Sequence, residues 1–420
     1  MRNVGRTDLR SWWLPVGGMV ALAAAAGYGQ TTQPAVPVAV SRAVSADANA
    51  PALDAEHQAV ARKLIDGGLK FILAKKDKDG GWSMGRGANR PALTAMVLTV
   101  LVRHGDYGPK HAVVNKGFEE LLKSRQADGG IYDPGEGAAS YTAAVALMAL
   151  AAAEDPAYAQ AIRDEVKYLK SLQIVPGGES ADGGKIAEDN PNVGAVGYGP
   201  KAARGDLSVT GMFMQSLHDA GVDANDPAMQ RAAAFITRMQ NSSETNAMAW
   251  AKDGTNDGGF IYSLPGQGGR GPQPAQGPRT YGSMTYTGFK SLLYAGVDRK
   301  DPRVQAAFRW IQKYWQLDSN PNMPAAQSRA GLFYYYHAFA KALRAWGEPV
   351  IADAKGARHN WRHELIDALA KAVKDDGSWV NDADRWQEGD PVLTTTYSLL
   401  ALQEALRDAS AASKPARKGP

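Results

Sequence analysis

The sequence predicts an all-α fold, a six-repeat (α/α)6 toroid in which one ring of helices encloses another. Three observations predict it. A helix–turn–helix unit recurs with a period of about fifty residues. The units carry punctuation, an Asp-Gly-Gly turn between the helices and an Asp-Pro start before several of them. The second helices are apolar on every side, which a helix tolerates when both of its faces are buried.

The helix pairs follow in order. Unit one runs from a helix over about Glu56–Leu73 through Asp79-Gly80-Gly81-Trp82 to a second helix over Pro91–Arg103. Unit two has an amphipathic helix with Phe118, Leu121 and Leu122, then Asp128-Gly129-Gly130, then the apolar helix that starts near Tyr141. Unit three pairs Tyr158–Leu172 with Leu207–Ala220 across an insertion holding Asp182-Gly183-Gly184. Unit four pairs Pro227–Met239 with Met284–Tyr294 through Asp257-Gly258-Gly259-Phe260. Unit five pairs Pro302–Trp315 with Gly331–Trp346 and has no such turn. Unit six pairs Trp361–Val373 with Leu393–Leu406 through Asp376-Gly377-Ser378-Trp379. In the turns, glycine supplies positive φ values that a Cβ resists. Asp155-Pro156, Asp226-Pro227 and Asp301-Pro302 each set an N-cap acceptor before a proline at the first helical position.

Both ends differ from this pattern. Residues 1–29 read as a secretory signal peptide, with Arg2, Arg6 and Arg10 before an apolar run from Trp12 to Ala26 and a small-residue cleavage region. Cleavage is expected between Ala26 and Gln30, which would export the chain; the alternative is an uncleaved N-terminal anchor. Residues 30–53 read as a flexible linker, 54–407 as the repeat domain, and 408–420 as a disordered tail. The net charge of +4 sits mainly in the two ends, so no basic block marks a nucleic-acid partner. There is no cysteine, which excludes disulfides, thiolate metal ligands and a cysteine nucleophile.

The repeats resemble those of the squalene cyclase and prenyltransferase superfamily, whose members form (α/α)6 toroids. The resemblance spans roughly Ala55–Arg407 and rests on a Gln that precedes a Gly-x-Trp turn. Gln126 with Gly129 and Gly130 matches best, with Ile131 in place of Trp. Trp82 and Trp379 keep the Trp, while Asp77 and Lys374 stand at the Gln position; Gln173 and Gln240 are separated from their turns by insertions. The cyclases of this superfamily resemble one another in an Asp-x-Asp-Asp-Thr-Ala stretch that opens an inner helix. Ahead of Thr94 and Thr142 this chain has no acid, and ahead of Thr210 it has Asp206 alone, at the first Asp position. The Asp, Cys and His zinc set of protein prenyltransferases fails for want of Cys.

Asp206 is therefore the one weak catalytic candidate, with helix N-cap as its plainer role. Tyr334, Tyr335, Tyr336 and His337 fan out at about 100° per residue, so one or two must face the barrel axis. With Phe213, Tyr286, Phe289 and Tyr397 they are the expected lining of a ligand cavity. His359 and His363 have the i, i+4 spacing of metal ligands, but Asn360 stands where a zinc protease has Glu, and no metal or cofactor is expected. Asp382-Ala383-Asp384 and Glu188-Asp189-Asn190 read as solvated loops. Residues 266–278 read as a flexible loop, a lid over one mouth. The expected partner is an apolar small molecule or another protein, with membrane contact only through an uncleaved N-terminus. The leading functional reading is a non-catalytic binding or scaffold protein. The alternatives are a terpene-cyclase-like enzyme and a glycan-active toroid, the latter needing two carboxylates about 5–10 Å apart.

Overall fold

All six expected helix pairs are present. The structure, a computed structural model, describes residues 52–87, 90–252, 254–267 and 278–407, all within the unit 47–420. The expected signal peptide, nearly all of the linker, the centre of the 266–278 loop and the tail lie outside the described residues. The outer helices are α1 (Ala55–Ala74), α3 (Ala112–Leu122), α5 (Ala159–Ser171), α7 (Pro227–Arg238), α10 (Pro302–Lys313) and α12 (Trp361–Ala372). The inner helices are α2 (Arg90–Val102), α4 (Ala139–Ala153), α6 (Leu207–Asp219), α9 (Gly282–Tyr294), α11 (Leu332–Trp346) and α13 (Pro391–Leu406). A short α8 (Ala249–Lys252) lies in the fourth unit's insertion. A hairpin, β1 (Val350–Ala352) with β2 (Arg358–Asn360), precedes α12 and sets Ile351 opposite His359. No described helix is long and apolar enough to cross a membrane.

The inner helices close a ring in the order α2, α4, α6, α9, α11, α13 and back to α2. Each outer helix packs on the inner helix of the unit before it: α3 on α2, α5 on α4, α7 on α6, α10 on α9, α12 on α11, and α1 on α13. The last of these joins the two ends of the domain. The inner helices are buried all round, as α4 illustrates with Ala143, Ala144, Ala146, Leu147, Ala149 and Leu150 all at 0% exposure. Small residues at these positions let helices pack on two sides at once.

The turns bind each unit to the next. Gly80, Gly129, Gly258 and Gly377 all have positive φ. A Cβ on each would crowd the following outer helix, at Lys116 and Asp164 for the first two, and would run into the backbone of Ala306 and Gly67 for the last two. The residue that ends the turn is held to the next inner helix. Trp82 N–H donates to Thr94 Oγ1 at 2.9 Å, Phe260 N–H to Thr285 Oγ1 at 3.1 Å and Trp379 N–H to Thr395 Oγ1 at 3.1 Å. The Trp82 and Trp379 indoles also donate back to Ile72 O and Leu369 O on their own outer helices.

Unit three departs from expectation. Gly183 has open space around it, so Asp182-Gly183-Gly184 is a surface turn within the insertion. Its structural role passes to Gly194, with φ 91° and a virtual Cβ 2.0 Å from Arg231 O, and to Val196, whose N–H donates to Thr210 Oγ1 at 3.0 Å. The glutamines also shift register. Bridges pair Arg125 with Ile131, Gln173 with Val196 and Gln240 with Phe260, so Gln173 and Gln240 align with Arg125, one residue before Gln126. Gln126 bonds only locally, to Ser124 O and Tyr132 O. Gln173 and Gln240 reach the next outer helix, donating to Ala228 O at 2.9 Å and Arg303 O at 2.8 Å.

Candidate ligand cavity on the barrel axis

Residues three or four apart share one side of a helix, so each inner helix presents a stripe to the axis. The stripes Met96–Thr99–Arg103, Val145–Met148, Met212–Gln215, His337–Lys341 and Tyr397–Leu400 line one cavity. The space between atoms there is about 330 Å³, mouth included, yet the part that admits a water's centre is only about 20 Å³. The axis is therefore nearly filled, with room for about one water.

Toward the N-terminal ends of the inner helices the axis is closed by hydroxyls. Tyr141 and Tyr397 meet at 3.1 Å and Tyr334 meets Ser208 at 3.3 Å. Burial pushes the Tyr141 phenol up to about 12. At this end Asp206 N-caps α6, accepting from Val209 N–H at 2.9 Å, and also accepts from the Tyr262 hydroxyl at 2.8 Å; Tyr262 meets Tyr198 at 2.9 Å. Burial raises the Asp206 carboxyl to about 6 against the pull of these hydrogen bonds. Glu388 caps the start of α11 from outside the helix, accepting from Tyr334 N–H at 2.8 Å, Phe333 N–H at 3.3 Å and Asn381 Nδ2 at 2.6 Å. Burial pushes it up to about 7. Both carboxylates are engaged by helix N-termini.

The C-terminal ends of the inner helices carry a charge cluster. Glu404 is fully buried and pairs with Arg344, with Arg103 at 3.2 Å, with Lys341 at 3.5 Å and with Arg407 at 3.7 Å. Lys341 also bonds Asp219 at 2.9 Å, and Asp219 accepts from or pairs with His218 at 3.1 Å. Burial alone would raise the carboxyls of Glu404 and Asp219, but the cations around them outweigh it and hold both well below the usual range. Lys290 stands apart, since its ammonium donates to the neutral Gln215 Oε1. Burial, aided by Lys341, drives it down to about 7. His337 is held neutral, pushed down to about 3 by burial and by Lys341 and Lys290. Arg103 and Arg344 are each 13% exposed, so the cluster runs from the rim into the interior.

The helical fan of 334–337 resolves into two directions. Tyr334 and His337 face the axis. Tyr335 and Tyr336 turn outward and donate to Gln316 O and Leu317 O. Of the other expected lining residues, Tyr397 is on the wall. Tyr286 packs edge-on to Tyr335 and Phe289 packs against Phe308 and Trp346, because both lie on the side of α9 away from the axis. Phe213 is buried beside Met212, one step round the helix from the wall. His359 and His363 separate: His359 bonds Glu364 at 2.7 Å, while His363 turns to Asp54 and His57. Asp384 accepts from Gly389 N–H at 2.8 Å, and Glu188 and Asp189 are exposed. The charged end was not anticipated. The signal lay in Lys290, Lys341, Arg344 and Glu404, ions inside otherwise apolar helices, with Lys341 and Arg344 on the same stripe as Tyr334 and His337.

No protein-family model matches the chain, and no curated protein matches its sequence. Solved structures share the fold. The type II terpene cyclase MstE from Scytonema, in complex with geranylgeranyl dihydroxybenzoate, is 16% identical with TM-score 0.53, over 84% of this chain and 99% of that one. An α-1,6-mannanase from Salegentibacter is 11% identical with TM-score 0.52, over 83% and 98%. A D-mannose isomerase is 12% identical with TM-score 0.51, over 84% and 99%. At such identities the likeness is one of (α/α)6 toroid fold.

Proposed function

We propose that this protein is an exported, non-catalytic member of the squalene-cyclase and prenyltransferase repeat superfamily that binds a small organic anion on the barrel axis. One observation carries the reading. The charged end gathers the buried or nearly buried Arg103, Lys290, Lys341 and Arg344 around two carboxylates, Asp219 and Glu404, with the half-exposed Arg407 at its edge, and leaves Lys290 without an ionic partner. A buried surplus of cations is costly unless an anion joins it. The wall above is apolar and built partly from Met96, Met148 and Met212, side chains that repack easily. Once the methionines repack to open the nearly filled axis, a short carboxylic acid would match both halves, its body among the methionines and its carboxylate at Lys341 and Arg103, with Lys290 behind Gln215.

Two enzyme readings stand behind this one, drawn from the terpene cyclase and the mannanase. Asp206, raised to about 6 and bonded to Tyr262, favours acid chemistry. Against it, the cap bond to Val209 already occupies that carboxylate, and the tyrosine-closed axis leaves little room for an isoprenoid. The test is calorimetry and thermal shift with hexanoate, benzoate and inorganic phosphate beside geranylgeraniol and mannose. Binding of a carboxylate, weakened at least tenfold in Lys290→Met, supports the proposal. Binding of geranylgeraniol or mannose with no response to any anion overturns it.

A further inference from the structure

We propose a transition-metal site at the seam of the ring, made by Asp54, His57 and His363 and taking zinc or a neighbouring divalent ion such as cobalt or copper. It lies apart from the axial cavity and does not depend on the reading given to that cavity.

The donors are brought together by helix capping. Asp54 is the N-cap of α1, and its Oδ1 accepts from His57 N–H at 2.8 Å. This fixes the first turn, so that His57 Nδ1 lies 2.8 Å and 2.9 Å from the two carboxylate oxygens. Asn360 caps α12 in the same manner, accepting from Arg362 N–H and His363 N–H. That places His363 Nε2 3.5 Å from Asp54 Oδ2. Asp54 N–H also donates to His363 Nε2 at 3.3 Å, so this nitrogen bears a lone pair, which a metal would take over from that N–H. The two imidazoles stack at 3.9 Å with planes 4° apart, and the donor atoms of all three residues lie within 4.8 Å of one another.

This spacing suits a metal. Tetrahedral ligands at about 2.0–2.2 Å from zinc stand roughly 3.3 Å apart. The stacked rings hold their lone pairs in parallel planes, so metal binding requires the stack to open and the two imidazoles to turn toward a common point. Two nitrogens and one carboxylate leave a position for water or a further ligand, and the nitrogen-rich set favours zinc, cobalt or copper over calcium or magnesium. Asp367 Oδ1 lies 3.7 Å from His57 Nε2, on the far side of the ring from Asp54. A carboxylate there orients a ligating imidazole and raises its basicity. The dipoles of two helix N-termini oppose a cation, and the carboxylates of Asp54 and Asp367 offset them.

The location gives the site a consequence. His57 is on α1 and His363 on α12, the first and last outer helices. Bound metal would tie the two ends of the repeat array and stabilise the closed ring through its preference for the folded chain.

The experiment uses the full chain, free of any histidine tag and stripped with chelator. Zinc is titrated by calorimetry, cobalt by visible absorption, and melting is followed with and without zinc. Expected are one equivalent of zinc, the visible bands of four-coordinate cobalt, and a higher Tm with zinc. His57→Ala and His363→Gln should each weaken zinc binding at least tenfold, while His359→Ala leaves it unchanged. Should either site variant fold poorly, imidazole nitrogen shifts of His57 and His363 in the unaltered chain report ligation directly. Failure to bind zinc, equal binding by the variants, or shifts confined to other histidines overturns the proposal.

Discussion

Lys290 is a buried cation whose polar partner, Gln215, is neutral. Its pKa falls to about 7 in the folded chain from an ordinary 10.5. Between those values the unfolded chain holds a proton that the folded chain has released, so stability rises with pH across the window. Below about pH 7 both states are protonated and the cost of burying the charge is felt in full. Lys290→Met should therefore stabilise the protein by roughly 2–4 kcal/mol at pH 6 and by clearly less at pH 9. Urea denaturation at the two pH values checks this, and an equal gain at both would contradict it. A bound anion would favour the charged lysine, so ligand binding should weaken as pH rises through about 7. Glu404 has the same sign in a lower pH range, since its partners hold its carboxyl low and its contribution is lost as pH falls. Glu404→Gln at pH 7 should cost about 3–5 kcal/mol, because it leaves Lys341, Arg344 and Arg103 buried with one carboxylate fewer. Asp206 has the sign opposite to both. Its folded pKa of about 6 lies above the ordinary 3.8, so stability declines as pH rises between them. Asp206→Asn keeps an acceptor for Val209 N–H and should flatten that decline in chemical denaturation curves recorded from pH 4 to pH 7.

At the scale of the element, the turns decide how one unit grips the next, and a glycine comparison tests which turn does so in unit three. Gly194 has positive φ and sits 2.0 Å, measured from a virtual Cβ, from Arg231 O; Gly183 also has positive φ but meets nothing. Gly194→Ala should cost several kcal/mol, since backbone must move, whereas Gly183→Ala should cost about 1 kcal/mol from conformational strain alone. Thermal melts of the two variants give the comparison, and equal losses would return the role to Asp182-Gly183-Gly184. This element also shows what a single sequence discloses. Helices and turns were legible because they are local: the Asp-Pro caps at 155, 226 and 301 appear where expected, as does the apolar surface of α4. The register of Gln173 was not, because its partners Gly194 and Ala228 lie across an insertion whose length carries no periodicity. The inward stripe of α11 was half legible. The fan of Tyr334 to His337 announced that some residues face the axis, but the choice depended on how α11 is rotated against α9 and α13. The trio Asp54, His57 and His363 was invisible, since 309 positions separate its first and last members and only ring closure joins them.

Ring closure is a property of the whole molecule and makes a claim about its unfolding. In an open solenoid each repeat touches only its neighbours, so damage at one end frays that end while the rest stays folded. Here α1 packs on α13 and α12, and the sixth unit's Gly377 rests on Gly67 of the first. Neither end of the array is therefore free to fray. The seam offers a clean site for the test. A Cβ at Gly68 would stand 2.8 Å from Leu399 and 3.1 Å from Trp379, both buried in the last unit. Gly68→Val should force these packed side chains apart and destabilise the protein by about 1–3 kcal/mol. In a closed ring that loss spreads to every unit, because each inner helix has two inner neighbours and loses its support in both directions. Amide exchange should then quicken in α6 and α9, on the opposite side of the ring, about as much as in α1 and α13. A single calorimetric transition should move as one. Faster exchange confined to α1, α12 and α13, or a second transition at lower temperature, would mean that the seam is a contact between two fraying ends rather than a joint of the fold.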